Sequence, residues 1–127
     1  PPPPPPPPSR PPPGNTFQLK NIQHKGSGKC IDGNGTDIYF SGCQKGNDWM
    51  TWAYDGKNIV HKATGKCIET KNNKLAFAIC NYNKNTWKYD GTVLAYNDTG
   101  KCLDGNGNSM YFGNCDKNNV WMTWTAL

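Results

Sequence analysis

From Gly14 to Leu127 the chain contains no proline; all 11 of its prolines stand among the first 13 of 127 residues. That absence divides the sequence into a proline-rich arm, residues 1–14, and a globular part, residues 15–127. The globular part lacks any apolar run of membrane-spanning length, so insertion into a membrane is not expected. It has little leucine or alanine and no long stretch of good helix formers, which argues against a helical fold. Histidine is scarce, with only His24 and His61. No C-x-x-C pair occurs, so structural zinc would lack its usual close ligand pairs. No basic stripe interleaved with aromatics is present, which argues against a nucleic-acid partner. The net charge of +5 is spread along the chain and speaks to solubility first. No serine or cysteine nucleophile is set beside a base, and no cofactor motif is present, so the chain is not expected to be an enzyme. No initiator methionine or leader-like segment stands at the start, and the chain is expected to be a processed fragment of a secreted protein.

What is abundant instead is Asn, Gly, Lys, Tyr and Trp, the material of short strands and tight turns. The length suits one domain with one core. Within it one stretch occurs three times. At Gly28 it reads Gly-Lys-Cys-Ile-Asp-Gly-Asn-Gly, followed by Tyr39-Phe40, Cys43 and Trp49-Met50-Thr51-Trp52. At Gly100 it returns as Gly-Lys-Cys-Leu-Asp-Gly-Asn-Gly, with Tyr111-Phe112, Cys115 and Trp121-Met122-Thr123-Trp124. A weaker copy lies between them: Gly65-Lys66-Cys67-Ile68-Glu69, Phe77, Cys80 and Trp87. The copies span about 15–54, 55–89 and 90–127, roughly 36 residues each, a period that signals repeats sharing one core.

Six cysteines in three pairs point to an oxidising, extracellular location. The repeat selects the pairing Cys30–Cys43, Cys67–Cys80 and Cys102–Cys115, each 13 residues apart inside its own copy. Loops of that size contribute roughly 2–3 kcal/mol apiece in the chain-entropy picture. Alternation and turn signals predict four strands per copy. In copy one these are Phe17–His24, Lys29–Asp32, Ile38–Cys43 and Trp49–Tyr54. In copy two they are Asn58–Lys62, Lys66–Glu69, Leu75–Cys80 and Thr86–Tyr89. In copy three they are Thr92–Tyr96, Lys101–Asp104, Met110–Cys115 and Trp121–Thr125. The expected fold is all-β, twelve short strands whose three copies close around a shared core. The expected core set is Ile31, Phe40 and Trp52; Ile68, Phe77 and Trp87; Leu103, Phe112 and Trp124. His24 and His61 hold the strand position that Tyr96 holds in copy three, which marks them as packing residues.

The element Gly-Lys-Cys-[Ile/Leu]-Asp, a strand ending in Cys, a polar turn ending in Trp and a following Asp-Gly, three times over, resembles the ricin B-chain type β-trefoil lectins. The resemblance implies a β-trefoil and a carbohydrate-binding function. Three departures accompany it. The family's Gln two residues before the last Trp is Met50, Asn85 and Met122 here. The position before that holds Trp49, Lys84 and Trp121. The family's stacking aromatic, two residues before the second Cys, is replaced by Ser41, Ala78 and Gly113. The family's hydroxyl-accepting acid maps onto Asp32, Glu69 and Asp104. A sugar also needs an aromatic face, for which Tyr39 and Tyr111, or Trp49 and Trp121, are placed. Asn47 and Asn119 are candidates for the amide. Copy two has Ala76 where the others have Tyr, and lacks the extra Trp. Two competent pockets are therefore expected, in copies one and three.

The remaining motifs are weaker. Asp104-x-Asn106-x-Asn108 looks like the start of a calcium loop, but its twelfth position is Cys115, which excludes an EF-hand; no metal is expected. Asn34 and Asn97 head glycosylation sequons. The arm is expected to form a polyproline II rod. It resembles hydroxyproline-rich glycoprotein segments, with Pro2, Pro3, Pro4, Pro5, Pro6, Pro7, Pro8 and Ser9 as modification sites. The sequence thus reads as a secreted lectin module whose partners are glycans or glycoproteins. Two alternatives stand beside it. One is a structural subunit of an extracellular fibre that contacts neighbouring copies through a glycosylated arm. The other is the carbohydrate-binding domain of a secreted hydrolase or toxin.

Overall fold

The computed structural model describes residues 16–127. The arm lies outside the described residues, and with it the polyproline II expectation and the sites Pro2 to Pro8 and Ser9. Copy one holds β1 (Phe17–Lys20), β2 (Ile22–His24), β3 (Cys30–Gly33), β4 (Ile38–Ser41) and β5 (Trp52–Tyr54). Copy two holds β6 (Ile59–His61), β7 (Cys67–Lys71), β8 (Lys74–Ala78) and β9 (Trp87–Tyr89). Copy three holds β10 (Leu94–Tyr96), β11 (Cys102–Gly105), β12 (Met110–Gly113) and β13 (Trp124–Ala126). Gly28, Gly65 and Gly100 precede the three Lys-Cys strands with φ of 74°, 73° and 70°, a left-handed turn that a side chain would strain.

The strands form three sheets, ordered β13-β2-β3-β4, β1-β5-β6-β7-β8 and β9-β10-β11-β12. Each sheet takes one strand from the end of a copy and three from the next, and the five-stranded one adds β1 at its edge. The last strand returns to the first copy, pairing Trp124 with His24 and Ala126 with Ile22. The ring is closed by this exchange, and the fold is a β-trefoil.

The shared core follows the repeat. Trp52, Trp87 and Trp124 are fully buried. Each indole donates to the carbonyl of the residue after its copy's first cysteine: Ile31 at 3.0 Å, Ile68 at 2.8 Å and Leu103 at 3.0 Å. Phe40, Phe77 and Phe112 are half-buried, and each reaches across to another copy. They stack on Trp124, Trp52 and Trp87 with centroids 5.9, 6.0 and 6.0 Å apart. Tyr54 and Tyr89 close the far end. Their hydroxyls donate to the carbonyls of Trp87 and Trp124, at 3.1 and 2.7 Å. Copy three has Ala126 at the matching place, and Phe17 packs on both tyrosines, 5.8 and 5.9 Å away. The disulfides are the three expected, Cys30–Cys43, Cys67–Cys80 and Cys102–Cys115, with Cα separations of 5.0, 4.9 and 5.0 Å.

Two expectations change. The first predicted strand is two, giving thirteen among the described residues. Leu19 takes φ 56° and the pairing with β5 slips between Phe17 and Lys20, so the chain leaves one sheet and enters another. The segments at Trp49 and Trp121 are not strand at their start. Asp48–Met50 and Val120–Met122 are single 3-10 turns, and strand begins only at Trp52 and Trp124.

Candidate functional site

In copy one Asp32 and Tyr39 stand directly opposite each other on β3 and β4. Opposed residues of an antiparallel pair share a face, so the carboxylate and the phenol lie side by side. Asp104 and Tyr111 repeat the arrangement on β11 and β12. Both acids are half-buried. One oxygen of each, Oδ1, accepts the following N–H, from Gly33 and from Gly105, at 2.8 Å in both copies. That contact fixes the side chain and leaves Oδ2 without a hydrogen-bond partner among the described residues. Gly113 stands beside the acid: a Cβ there would be in ordinary contact with Asp104 Oδ2, 3.7 Å away. The Tyr39 phenol is held above its ordinary pKa, by burial first and then by the charges of Asp32 and Asp37. It is a hydroxyl donor at neutral pH.

The 3-10 turns pack against the acid-bearing strands β3 and β11, and each carries a tryptophan. Asn47 and Asn119 cap them: each side-chain oxygen accepts the N–H of Trp49 or Trp121 at 3.0 Å. The Asn47 amide nitrogen is engaged as well, donating to Gln44 at 3.1 Å. No partner holds that of Asn119 among the described residues. Met50 and Met122 point inward and are buried, which leaves Trp49 and Trp121 at 46% and 43% exposure as open aromatic faces.

Each platform rests on a histidine from the next copy around the ring. His61 Nε2 lies 2.8 Å from the Trp49 carbonyl and its ring 5.7 Å from the indole. His24 relates to Trp121 in the same way, at 2.7 and 5.6 Å. A carbonyl only accepts, so Nε2 carries the proton, and Nδ1 accepts from Ser27 at 2.7 Å or Thr64 at 2.8 Å. Burial lowers the pKa of both rings; the Trp carbonyls and the charges of Asp104 and Asp32 oppose it without reversing it. Trp121 also lies flat over Gly26, where a Cβ would come within 2.5 Å of the indole.

Copy two differs at every one of these points. Lys84 stands where the other copies have Trp, and its ammonium lies 5.8 Å above the ring of Tyr96, the residue replacing histidine. The same ammonium reaches Glu69 at 3.3 Å and Asp98 at 3.1 Å. Asp98 holds Lys84 above the usual lysine pKa; burial opposes this and Glu69 adds to it. The acid of copy two is therefore occupied from within. Lys84 was legible only as a departure from the family pattern; nothing in the sequence placed Asp98 beside it.

The sequons are both at exposed asparagines. Asn34 is tied into its turn, accepting the N–H of Thr36 at 2.9 Å and Asp37 at 2.7 Å. The nitrogen of Asn97 donates to the Asn85 carbonyl at 2.8 Å. In the calcium-like stretch, Asn106 closes an analogous turn onto Asn108 and Ser109.

A model of the ricin-type β-trefoil lectin domain matches residues 15–85. No curated protein matches the chain. Among solved structures, GalNAc-T7 with UDP, GalNAc and Mn2+ has a TM-score of 0.75 at 19% identity, covering 91% of this chain and 23% of that one. A non-toxic homologue of type II RIPs from Momordica charantia (bitter gourd), in complex with α-methyl-D-galactoside, has a TM-score of 0.74 at 12% identity, covering 88% and 48%. The earthworm R-type lectin C-half in complex with GalNAc has a TM-score of 0.71 at 16% identity, covering 87% and 98%. The chain thus spans about a quarter of the first of these, half of the second and nearly all of the third. The domain match, the closed three-copy ring and the three local disulfides agree, and the chain belongs to the ricin-type β-trefoil lectin domain family.

Proposed function

We propose that this chain is a non-catalytic carbohydrate-binding module of a secreted protein, with working pockets in copies one and three. The observation that carries the reading is the paired acid and aromatic at equivalent places, Asp32 with Tyr39 and Trp49, and Asp104 with Tyr111 and Trp121. In each pocket the aspartate Oδ2 accepts sugar hydroxyls. The indole or phenol covers the C–H face of the ring. Asn47 and Asn119 set the tryptophan, and the unengaged Asn119 amide adds a donor. Copy two, with Glu69 and Lys84 joined to each other, is silent. The three neighbours solved with galactose-type sugars make galactose and GalNAc the first ligands to try. The disulfides support an extracellular setting.

The experiment is a glycan screen of the wild-type chain, followed by titration of the best ligand against Asp32→Asn, Asp104→Asn and Glu69→Gln. The two aspartate variants are expected to weaken binding by about 1.5–3 kcal/mol at their own site, the range for a hydrogen bond to a charged group. Glu69→Gln is expected to change little. If Glu69→Gln is the most damaging of the three, the assignment of pockets fails. A second reading, that the chain is the sugar-binding module of a larger hydrolase or toxin, is favoured by its covering only part of several neighbours. The native precursor's mass tests it.

A further inference from the structure

The three hairpins β3–β4, β7–β8 and β11–β12 meet around the pseudo-threefold axis, and between their tips lies a cleft of about 510 Å3. That volume is in the range of small-ligand sites. It lies apart from the acids of the two proposed pockets but shares one residue with them, Tyr39. Its walls are not alike. On one side stand Lys71 and Lys74 of copy two; on the other stand Asp37 and Tyr39 of copy one; Leu75 and Met110 give it apolar surface.

The lysine side is costly to build. Lys71 and Lys74 are directly paired across a two-residue turn, and like charges opposite each other destabilise a hairpin. The turn runs through Asn72 at φ 55° and Asn73 at φ 62°, a left-handed pair without glycine. The carboxylate ion pairs among the described residues involve Lys62, Lys84 and Lys117, and leave both of these ammonium groups without an acidic partner. The other two hairpins carry Gly-Asn-Gly turns and no lysine at the tip. Copy two has thus replaced the ordinary turn by a doubly cationic one that faces an acid and a phenol across a half-apolar cleft.

We propose that this axial cleft is a binding site for an acidic sugar residue, such as a uronic or sialic acid. Its carboxylate lies between Lys71 and Lys74, its hydroxyls meet Asp37 and the Tyr39 phenol, and its ring covers Leu75 and Met110. The inference rests on the lectin reading only in taking the ligand to be a saccharide. It adds that glycans with an acidic branch are preferred, because Tyr39 joins the cleft to the pocket of copy one.

Amide chemical-shift titration of the whole chain with glucuronic acid, N-acetylneuraminic acid, glucose and inorganic sulfate tests it. An acidic sugar is expected to give saturable shifts at Tyr39, Lys71, Lys74 and Met110, while glucose leaves these residues unmoved. Sulfate is expected to bind at least about ten-fold more weakly, lacking the hydroxyl and apolar contacts. The double variant Lys71→Gln/Lys74→Gln is expected to weaken the acidic sugar about ten-fold or more, since a charged hydrogen bond is worth that much. Asp32→Asn leaves axial binding in place. Absence of saturable shifts with both acids, equal shifts with glucose, or unchanged affinity in the double variant would each overturn the site. Sulfate binding as tightly as the acidic sugars would overturn the sugar assignment in favour of a bare anion. None of these results bears on Asp32 and Asp104, whose failure with neutral glycans would sink the lectin reading separately.

Discussion

Two histidines support the aromatic platforms, and each works only as a neutral ring that accepts at Nδ1 and donates at Nε2. Both folded pKa values lie below the ordinary 6.5. Below about pH 6.5 the unfolded chain therefore binds more protons than the folded one, and stability falls as pH falls. Above 6.5 this contribution is fully present. Protonation also removes the Nδ1 acceptor that Ser27 and Thr64 use. The midpoint of thermal unfolding is thus expected to drop between pH 7 and pH 5. Copy three shows that tyrosine fits the position, at Tyr96, so His24→Tyr/His61→Tyr is expected to flatten that slope. An undiminished slope in the double variant would contradict the assignment to these rings. Gly26 gives a site-specific counterpart. Gly26→Ala pushes on the Trp121 ring and is expected to lower affinity at copy three by several-fold, while the copy-one pocket, whose matching turn in copy two already carries Ala63, is unaffected; shifts of each tryptophan's indole N–H on titration separate the two.

At the scale of elements, the copies are joined by phenylalanines that stack on another copy's tryptophan. Phe77 lies on Trp52 and so close to Gly33 that a Cβ there would sit 2.6 Å from its ring. Phe77→Ala is expected to cost about 3 kcal/mol, the low end for such truncations because the ring is half-buried. Replacing Cys67 and Cys80 together is expected to cost about 2–3 kcal/mol. Urea unfolding measures both, and a loss under 1 kcal/mol for Phe77→Ala would mean that the copies are not coupled through it. These elements were largely legible. The cysteine spacing fixed the disulfides, and the Ile/Leu, Phe and Trp of each repeat identified the core. What period-two alternation could not reveal was the break at Leu19, where the chain changes sheets, or the 3-10 turns, where Asn47 and Asn119 hold the backbone out of the ladder. The far-end cluster of Phe17, Tyr54 and Tyr89 was missed because Phe17 lies on β1, which has no counterpart in the other copies, and Ala126 departs from the repeat.

At the scale of the whole molecule, each proposed pocket lies at a junction. Asp32 and Trp49 come from one copy and His61 from the next; Asp104 and Trp121 meet His24 only because β13 returns to β2. The ring must close for the copy-three pocket to exist. The acids and their tyrosines were readable from the repeat. The partnership of platform and histidine was not, because it joins residues 97 apart for His24 and Trp121. Nor was the closure of copy two, which needs Lys84, Glu69 and Asp98 in one place. The most direct measurement is a glycan screen of the wild-type chain beside Asp32→Asn/Asp104→Asn, with folding of both confirmed by thermal unfolding. The account predicts glycan binding by the wild-type chain and its loss in the folded double variant. A folded wild-type chain that binds no glycan, or a double variant that binds as well as wild type, would contradict it.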